Sequence, residues 1–136
     1  MPEIKNTRTL NVVAGIIEKE GKILIAKRKA TRCRESRWEF PGGKIEKGES
    51  PEECLVREIR EELELEIKVK KCVSVEMHEI CSGRKIILHA YEAEYLSGTL
   101  CLKEHEDAKW VRKEDLLNFD FYEPDFKIAR NLVKSF

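Results

Sequence analysis

The sequence predicts an α+β protein in which helices cover both faces of a mixed β-sheet, as an α/β/α sandwich. Three observations lead to this class. A run rich in β-branched residues opens the chain, a capped helix follows near its middle, and strand-like runs then precede a second helix at the end. Because strands and helices occur in blocks rather than in strict alternation, the pattern argues against a doubly wound parallel fold.

The opening strands are indicated by composition and by the turn between them. Residues 11–17 and 23–26 are apolar and rich in β-branched side chains, and a Glu-Gly-Lys turn separates them. Such a pair of runs predicts a hairpin. Residues 28–37 are basic and polar, which predicts a loop. Residues 38–40 then predict a short strand that ends in Pro-Gly-Gly, where the backbone is free to turn and approach a ligand.

The clearest helix begins after Ser50 and is predicted to end near Leu63. Ser50-Pro51-Glu52-Glu53 combines a serine N-cap, a proline at the first helical position and a glutamate three residues after the cap. This arrangement is a capping box. Apolar residues then recur at helical spacing and give the helix one buried stripe: Leu55, Val56, Ile59 and Leu63.

The second half of the chain contains strands and two further helices. Residues 67–80 and 85–96 are rich in β-branched and aromatic side chains, and Ser82-Gly83 lies between them, so a long hairpin is predicted. The remaining elements are predicted in this order: strands at 99–102 and 108–111, a short helix at 113–117 and a C-terminal helix at 125–136.

Length and charge limit the classes of protein to consider. A chain of 136 residues suits a single domain spanning 1–136. Lys plus Arg number 26 and Asp plus Glu number 26, so the basic excess typical of proteins that bind nucleic acid polymers is missing. No apolar run approaches the ~18 residues of a membrane span, and residues 1–10 lack the apolar core of a signal peptide. We therefore expect a cytoplasmic protein with a small-molecule ligand and no membrane partner.

The five cysteines do not indicate a metal site or a disulfide framework. Their number is odd and no Cys-x-x-Cys pair occurs. We interpret them as reduced thiols that serve mainly as small apolar residues.

The central helix carries an acidic face. Glu58, Glu61 and Glu62 are related as i, i+3 and i+4, so all three lie on one side of the helix. Such like charges repel one another unless a cation compensates them, and Mg²⁺ prefers carboxylate and phosphate oxygens. The alternative is a solvated acidic face that Arg57 and Arg60 neutralise.

The wider spacing around this helix decides between the two interpretations. Gly43 is followed after five residues by Glu49, and after seven more by Arg57-Glu58-Ile59-Arg60-Glu61-Glu62. This pattern resembles the Nudix box, and the flanking sequence resembles the MutT-like group. The matching flanks are Glu-Phe-Pro-Gly-Gly-Lys-Ile-Glu at residues 39–46 and Trp110. Glu64 departs from the pattern, because the family usually has a glycine there to end the helix. We expect a different C-cap or a slightly longer helix.

The resemblance implies a Nudix fold and an enzyme that uses Mg²⁺, or Mn²⁺ in its place, to hydrolyse nucleoside triphosphates to monophosphate and pyrophosphate. Its substrates would be compounds such as 8-oxo-dGTP or a (d)CTP analogue. The alternative is a non-catalytic Nudix module that binds a nucleotide as a sensor. The three intact glutamates favour the enzyme. The sequence leaves monomer and homodimer both open.

The resemblance also implies roles for individual residues. Arg57 would orient the carboxylates, and the general base stays open between Glu58 and Glu104. Glu106 is the second choice for the late-loop carboxylate. The implied metal ligands are the Gly42 carbonyl and the side chains of Glu58, Glu61, Glu62 and Glu104.

Four further residues are candidates for contacting the nucleotide. Phe40 would stack on the base, with core packing as the alternative. Arg28 and Arg84 would contact substrate, or else be ordinary surface arginines. Asp125 would read the edge of the base, where a carboxylate suits the amino group of cytosine or a purine that presents two donors, or else it would cap the last helix.

Overall fold

The computed structural model describes residues 9–80 and 83–134. Within them the chain forms a seven-stranded mixed sheet with two α-helices and a 3₁₀ helix. The elements are β1 (Thr9–Lys19), β2 (Lys22–Arg28), β3 (Trp38–Glu39), β4 (Gly42–Lys44), α1 (Pro51–Leu63), β5 (Glu66–Ile80), β6 (Arg84–Ser97), β7 (His105–Arg112), the 3₁₀ helix (Lys113–Asn118) and α2 (Glu123–Lys134).

The strands pair in a mixed pattern, as predicted. The main order is β3-β2-β1-β6-β5, with β4 paired to β1 and β7 paired to β2. β1 and β6 run parallel over ten paired positions, whereas every other described pairing is antiparallel. The predicted hairpins β1–β2 and β5–β6 are both present.

Each face of the sheet buries its own apolar core, because strand side chains alternate between the two faces. On one face Val13 and Ile17 pack with Leu55 and Ile59 of α1. On the other face Ala14 and Ile16 pack with residues that include Ile128 of α2. The sheet is thus enclosed between α1 and α2, and the α+β sandwich is confirmed.

The capping box of α1 forms as the sequence predicted. The Ser50 hydroxyl accepts a hydrogen bond from the Glu53 backbone N–H, and the Glu53 carboxylate accepts one from the Ser50 backbone N–H. The helix ends at Leu63, which matches the prediction. Its start and end therefore follow from local sequence, because the capping partners lie three residues apart.

The structure departs from the predicted elements in three places. Residues 99–102 form no strand; instead the N–H groups of Cys101 and Lys103 donate to the Leu63 and Glu62 carbonyls at the end of α1. β4, formed largely by two glycines, was not predicted. The last helix begins at Glu123 rather than Asp125, and residues 135–136 lie outside the described part. Asp125 is therefore in the first turn, and the N-cap interpretation of this residue was wrong.

The C-cap of α1 uses Glu64 where the family has glycine. Glu64 adopts the left-handed conformation itself, with φ 60° and ψ 35°, and its N–H donates to the Arg60 carbonyl. The expectation of a different C-cap or a longer helix was therefore wrong. A left-handed residue other than glycine costs about 1 kcal/mol. Lys103 Nζ lies 2.9 Å from the Glu64 carboxylate and binds it at the surface.

We expect the free energy of unfolding to be higher for Glu64→Gly than for Glu64→Gln. Both variants lose the ion pair with Lys103, but only glycine relieves the left-handed strain. The difference should be about 1 kcal/mol in denaturant titrations. Equal stabilities for the two variants would mean that the positive φ carries no cost here.

The composition led to two expectations, one on membrane-spanning segments and one on the cysteines. Among residues 9–80 and 83–134, no helix has the length and apolar character needed to cross a membrane. The four described cysteines are free thiols: Cys33, Cys54, Cys72 and Cys101. Burial raises the pKa of Cys54 to about 12, so this thiol is a neutral packing group.

Candidate active site

The acidic face of α1 is only partly open to solvent. The side chains of Glu58 and Glu62 are 13% and 18% exposed, whereas that of Glu61 is 59% exposed. The opposite side of the helix buries Leu55, Ile59 and Leu63 in the core. Two of the three predicted carboxylates therefore lie in a sheltered position, where electrostatic interactions are stronger than at the surface.

Arg57 connects the carboxylates of this region. Its guanidinium donates to both oxygens of Glu49, with Nε–Oε2 at 2.6 Å and Nη2–Oε1 at 3.0 Å. Its Nη1 lies 3.2 Å from a Glu61 oxygen and 3.3 Å from a Glu58 oxygen. These hydrogen bonds lower the pKa of Glu49 to about 2 and raise that of Arg57. The arginine is thus fixed by Glu49 and holds two of the helix glutamates.

Glu58 and Glu62 are like groups that lie one helical turn apart on α1. Burial raises the pKa of Glu62 to about 8, and the neighbouring Glu58 carboxyl group adds to this effect, while Arg28 opposes it. Two carboxyl groups in this position cannot both be charged at low cost without a counter-ion. A divalent cation would take the place of the proton on Glu62.

The donor set fits a divalent cation that is bound mainly together with substrate. In the described ranges, no three carboxylate, thiol or imidazole groups are already clustered as a metal cage. Mg²⁺ usually binds through one or two protein carboxylates plus water and substrate phosphates, so it requires no such cage. The sheltered carboxyl groups of Glu58 and Glu62 provide oxygen donors of the required kind.

Gly43 is required by the position of Glu58. A Cβ atom at residue 43 would lie 2.4 Å from the Glu58 carboxyl carbon and 2.6 Å from one of its oxygens. The absence of a side chain lets the Glu58 carboxyl pack against the backbone of β4. This contact explains in physical terms why the pattern contains a glycine fifteen residues before Glu58.

A second polar network lies beside the helix and was not predicted. The Glu39 carboxylate oxygen Oε2 accepts from Arg28 Nε at 2.8 Å and lies 2.9 Å from His105 Nε2. Arg28 Nη2 in turn lies 3.9 Å from a Glu62 oxygen. Glu39 therefore holds the guanidinium toward the acidic helix. The His105 side chain is fully buried, and its Nδ1 has no hydrogen-bond partner in the described part.

A cavity of about 450 Å³ opens next to this network. Val12, Ile86 and Leu88 give it apolar walls, and Gly42 and Gly43 contribute backbone at one side. Its polar lining residues are Arg28, Arg34, Glu39, Lys44, His78, Tyr122, Glu123 and Asp125. An apolar cavity with a few converging polar groups is the usual form of a small-molecule site.

Asp125 and Phe40 meet at this cavity. Asp125 is 7% exposed, and its Oδ1 accepts a hydrogen bond of 3.2 Å from the Phe40 N–H. Burial, and secondarily the charge of Glu39, raise the pKa of Asp125 well above its usual range. The Phe40 ring is 2% exposed and stacks on Phe121 with centroids 5.2 Å apart. It therefore belongs to the core and leaves little surface for a stacked base.

The remaining candidate residues are Arg84, Glu104 and Glu106. Arg84 begins β6, is exposed, and is not one of the described cavity-lining residues. Glu104 is exposed and directly follows Lys103, whose N–H donates to the Glu62 carbonyl, so its loop is fixed beside α1. Glu106 is engaged elsewhere, because its carboxylate accepts from the Ser36 hydroxyl and lies 3.7 Å from Lys27 Nζ.

Sequence reasoning missed Glu39 and His105 as site residues. Glu39 carried a signal, because it is a charged residue between Trp38 and Phe40, both of which are buried. His105 carried none, since a single histidine in a charged stretch is indistinguishable from a surface residue until its burial is known.

Comparison with known proteins identifies the family. The model of the NUDIX domain matches residues 7–132, which is most of the chain. The chain belongs to the Nudix family. The box and the flanking pattern described above are thus those of a Nudix protein, and the predicted family membership is confirmed.

Curated Nudix relatives are similar over nearly their whole length. The CTP pyrophosphohydrolase of Escherichia coli K12 is 41% identical over 121 residues, which are 89% of each chain. The 8-oxo-dGTP diphosphatase of Buchnera aphidicola is 33% identical over 127 residues, which are 91% of this chain and 93% of the relative.

Solved Nudix structures agree with the fold. The solution structure of the E. coli ORF135 protein is 40% identical in sequence and has a TM-score of 0.80. The match covers 90% of this chain and 87% of the ORF135 chain. The crystal structure of a MutT protein from Methanosarcina mazei is 23% identical and has a TM-score of 0.82, with coverage of 93% and 94%. The second likeness shows the fold alone.

Proposed function

We propose that this protein hydrolyses nucleoside triphosphates to nucleoside monophosphate and pyrophosphate in a reaction that needs Mg²⁺ or Mn²⁺. One observation carries the proposal: a cavity with the volume and lining of a small-molecule site adjoins the sheltered carboxyl groups of Glu58 and Glu62. Arg28 connects the two, because it lines the cavity and its Nη2 lies 3.9 Å from a Glu62 oxygen. The names of the two curated relatives described above support the same reaction type.

The residues present indicate how the parts of the site would act. Glu58, Glu61 and Glu62, together with the Gly42 carbonyl, would hold the divalent cation. A bound divalent cation neutralises phosphate charge and lowers the pKa of water. Arg57 keeps the helix carboxylates in place, and Arg28 offers a positive charge to the phosphates. Water attacks phosphorus, the anhydride P–O bond breaks, and pyrophosphate leaves. Glu58 and Glu104 remain the two candidates for accepting the proton of the water.

Asp125 favours cytosine among the bases. Its Oδ1 is engaged by the Phe40 N–H, so the second carboxyl oxygen remains for a ligand. In the ionised form of Asp125 this oxygen is an acceptor, which suits the N4 amino group of cytosine and disfavours the O4 carbonyl of uracil. The E. coli relative that is named as a CTP pyrophosphohydrolase supports this assignment.

We expect Asp125→Asn to reverse part of the discrimination between CTP and UTP. With its oxygen retained by the Phe40 N–H, asparagine would present an amino group to the ligand, which suits O4 of UTP. The ratio of kcat/KM for CTP to that for UTP should fall roughly tenfold or more. Asp120→Asn is the control, because this exposed aspartate contacts Arg37 at the surface. An unchanged ratio would remove Asp125 from base recognition.

The reaction itself is tested by measuring monophosphate and pyrophosphate release with Mg²⁺. The panel contains the four dNTPs, CTP, UTP, 8-oxo-dGTP, 5-methyl-dCTP, ADP-ribose and a dinucleoside tetraphosphate. Release should vanish with EDTA and in Glu61→Gln, and should persist in Glu52→Gln, which changes an exposed glutamate of the same helix. If a nucleotide binds and none is hydrolysed, the protein is a nucleotide sensor and the proposed reaction is wrong.

A further inference from the structure

A buried histidine contacts the polar network beside the acidic helix. The His105 side chain has no exposed surface, and its Nε2 lies 2.9 Å from Glu39 Oε2. A carboxylate oxygen accepts hydrogen bonds, so Nε2 carries the proton and donates it to this contact. Nδ1 has no hydrogen-bond partner in the described part of the chain. A buried polar atom without a partner costs stability, and an apolar side chain of similar size would avoid that cost. Packing alone therefore does not explain a histidine at this position.

Strand register brings His105 to Glu39 and Arg28. Opposite residues of an antiparallel pair have their side chains on the same face of the sheet. β2 lies between β3 and β7, and Arg28 of β2 is opposite His105 of β7. Glu39 of β3 is opposite Ala26, which lies two residues before Arg28 and so faces the same way. The three polar side chains therefore share one face of the sheet and meet there.

A β-bulge in β7 makes this meeting possible. Lys27 is paired with Asp107, whereas the next residue, Arg28, is paired with His105. Glu106 is therefore the extra residue of the bulge. In a regular ladder Arg28 would lie opposite Glu106 instead. Bulges change the direction of side chains and are frequent next to active sites. Here the bulge places the histidine, and not an acidic residue, opposite the arginine.

Glu39 receives two donors on one oxygen. Its Oε2 lies 2.8 Å from Arg28 Nε and 2.9 Å from His105 Nε2. Nη2 of Arg28 lies 3.9 Å from a Glu62 oxygen, which is beyond hydrogen-bond distance. Among the described residues, the hydrogen bond of this guanidinium is the one from Nε to Glu39. The Nη groups thus remain available to an anion in the cavity that Arg28 lines.

We propose that His105 is a positioning residue for nucleotide binding and that it acts through Glu39 on Arg28. By holding Glu39 at Oε2, it leaves the Nη groups of Arg28 free for the phosphates, a role that rests on the proposed nucleotide substrate. Without this donor, Glu39 can turn and pair with Arg28 through two parallel hydrogen bonds, which is the geometry that a carboxylate and a guanidinium prefer. The phosphates would then lose a charge-assisted contact.

The test compares variants at residue 105 that keep or remove the donor. The amide nitrogen of His105→Gln can reach the place of Nε2, whereas that of His105→Asn is one methylene too short. His105→Leu fills the buried space without a donor. The asparagine and leucine variants should each lower kcat/KM for CTP about tenfold or more, because a hydrogen bond to a charged group is lost. The glutamine variant should recover most of this loss.

Affinity is measured in parallel, by calorimetry with Mg²⁺ and a CTP analogue whose α,β-bridging oxygen is replaced by a methylene group. The dissociation constant should rise by a similar factor in the asparagine and leucine variants. Circular dichroism checks that each variant is folded. His89→Leu is the control, because His89 bonds Asn11 at an exposed site and lies outside the network. It should leave the affinity unchanged.

A double-mutant cycle with Arg28→Gln decides whether His105 acts through Arg28. If it does, His105→Leu should have little further effect on affinity in the Arg28→Gln background, whereas independent effects would multiply. Multiplying effects overturn the proposal. So does wild-type affinity in a folded asparagine or leucine variant, or a glutamine variant that recovers nothing.

These outcomes are separate from failure of the proposed reaction. A wild type that binds the analogue but hydrolyses no nucleotide removes the reaction, and the affinity measurements then decide the role of His105 by themselves. A wild type that does not bind the analogue overturns the role of His105 in nucleotide binding.

Discussion

Glu58→Gln is expected to lower kcat/KM for the best nucleotide by about 10³-fold, which is the size of effect seen when a group essential to charge or proton handling is removed. The side chain is sheltered and is held by Arg57. Glutamine keeps the shape that packs against Gly43 but removes the negative charge. The loss should therefore appear in activity and in metal affinity, with little change in fold.

The control for this variant is Glu52→Gln, which neutralises an exposed glutamate near the beginning of the same helix. It should retain most of the activity. Steady-state kinetics at several Mg²⁺ concentrations separate weaker metal binding from a slower chemical step, because only the former is recovered by added metal. Activity of Glu58→Gln within a few-fold of the wild type would assign the central role to another carboxylate.

Gly42→Ala is expected to destabilise the protein by at least about 3 kcal/mol, or to prevent folding. A Cβ atom at residue 42 would lie 1.8 Å from the Val13 carbonyl oxygen, which is backbone of the neighbouring strand. A flexible side chain could move away from such a contact, but a paired strand moves only if β1 and β4 separate. The same separation would displace the backbone beside the acidic helix.

Gly48→Ala is the matched control for this steric effect. Gly48 has φ of +84° and nothing within 4 Å of a built Cβ atom, so alanine there meets only the ordinary cost of a positive φ. That cost is about 1 kcal/mol. Denaturant titration of both variants should show the larger loss at residue 42. Equal losses would mean that the sheet accommodates the added methyl group.

Local signals accounted for most of the fold. α1 and its capping box, the two hairpins and the C-terminal helix follow from residues that are close in the chain. β4 escaped prediction because two consecutive glycines have little strand propensity. It forms because only a residue without Cβ allows its close approach to Val13, which is a tertiary requirement. Residues 99–102 failed as a strand because their N–H groups bond to the end of α1 instead.

The candidate site likewise has one part that the sequence predicted and one part that it did not. The acidic helix face was predictable, since positions i, i+3 and i+4 share a side by helix geometry alone. The environment of Phe40 and Asp125 was not, because they are 85 residues apart and their hydrogen bond depends on how α2 packs. For Phe40 the core alternative matches its position in the structure. The roles proposed for Arg84 and Glu104 stay predictions.

The sequence by itself determined the family, the spacing of the box glutamates and the helix that presents them, because these depend on residues only a few positions apart. The tertiary structure alone decided which carboxyl groups are sheltered and that Glu39 joins Arg28 to His105. Burial and contact between distant segments set these features, and they depend on how the sheet and helices pack together.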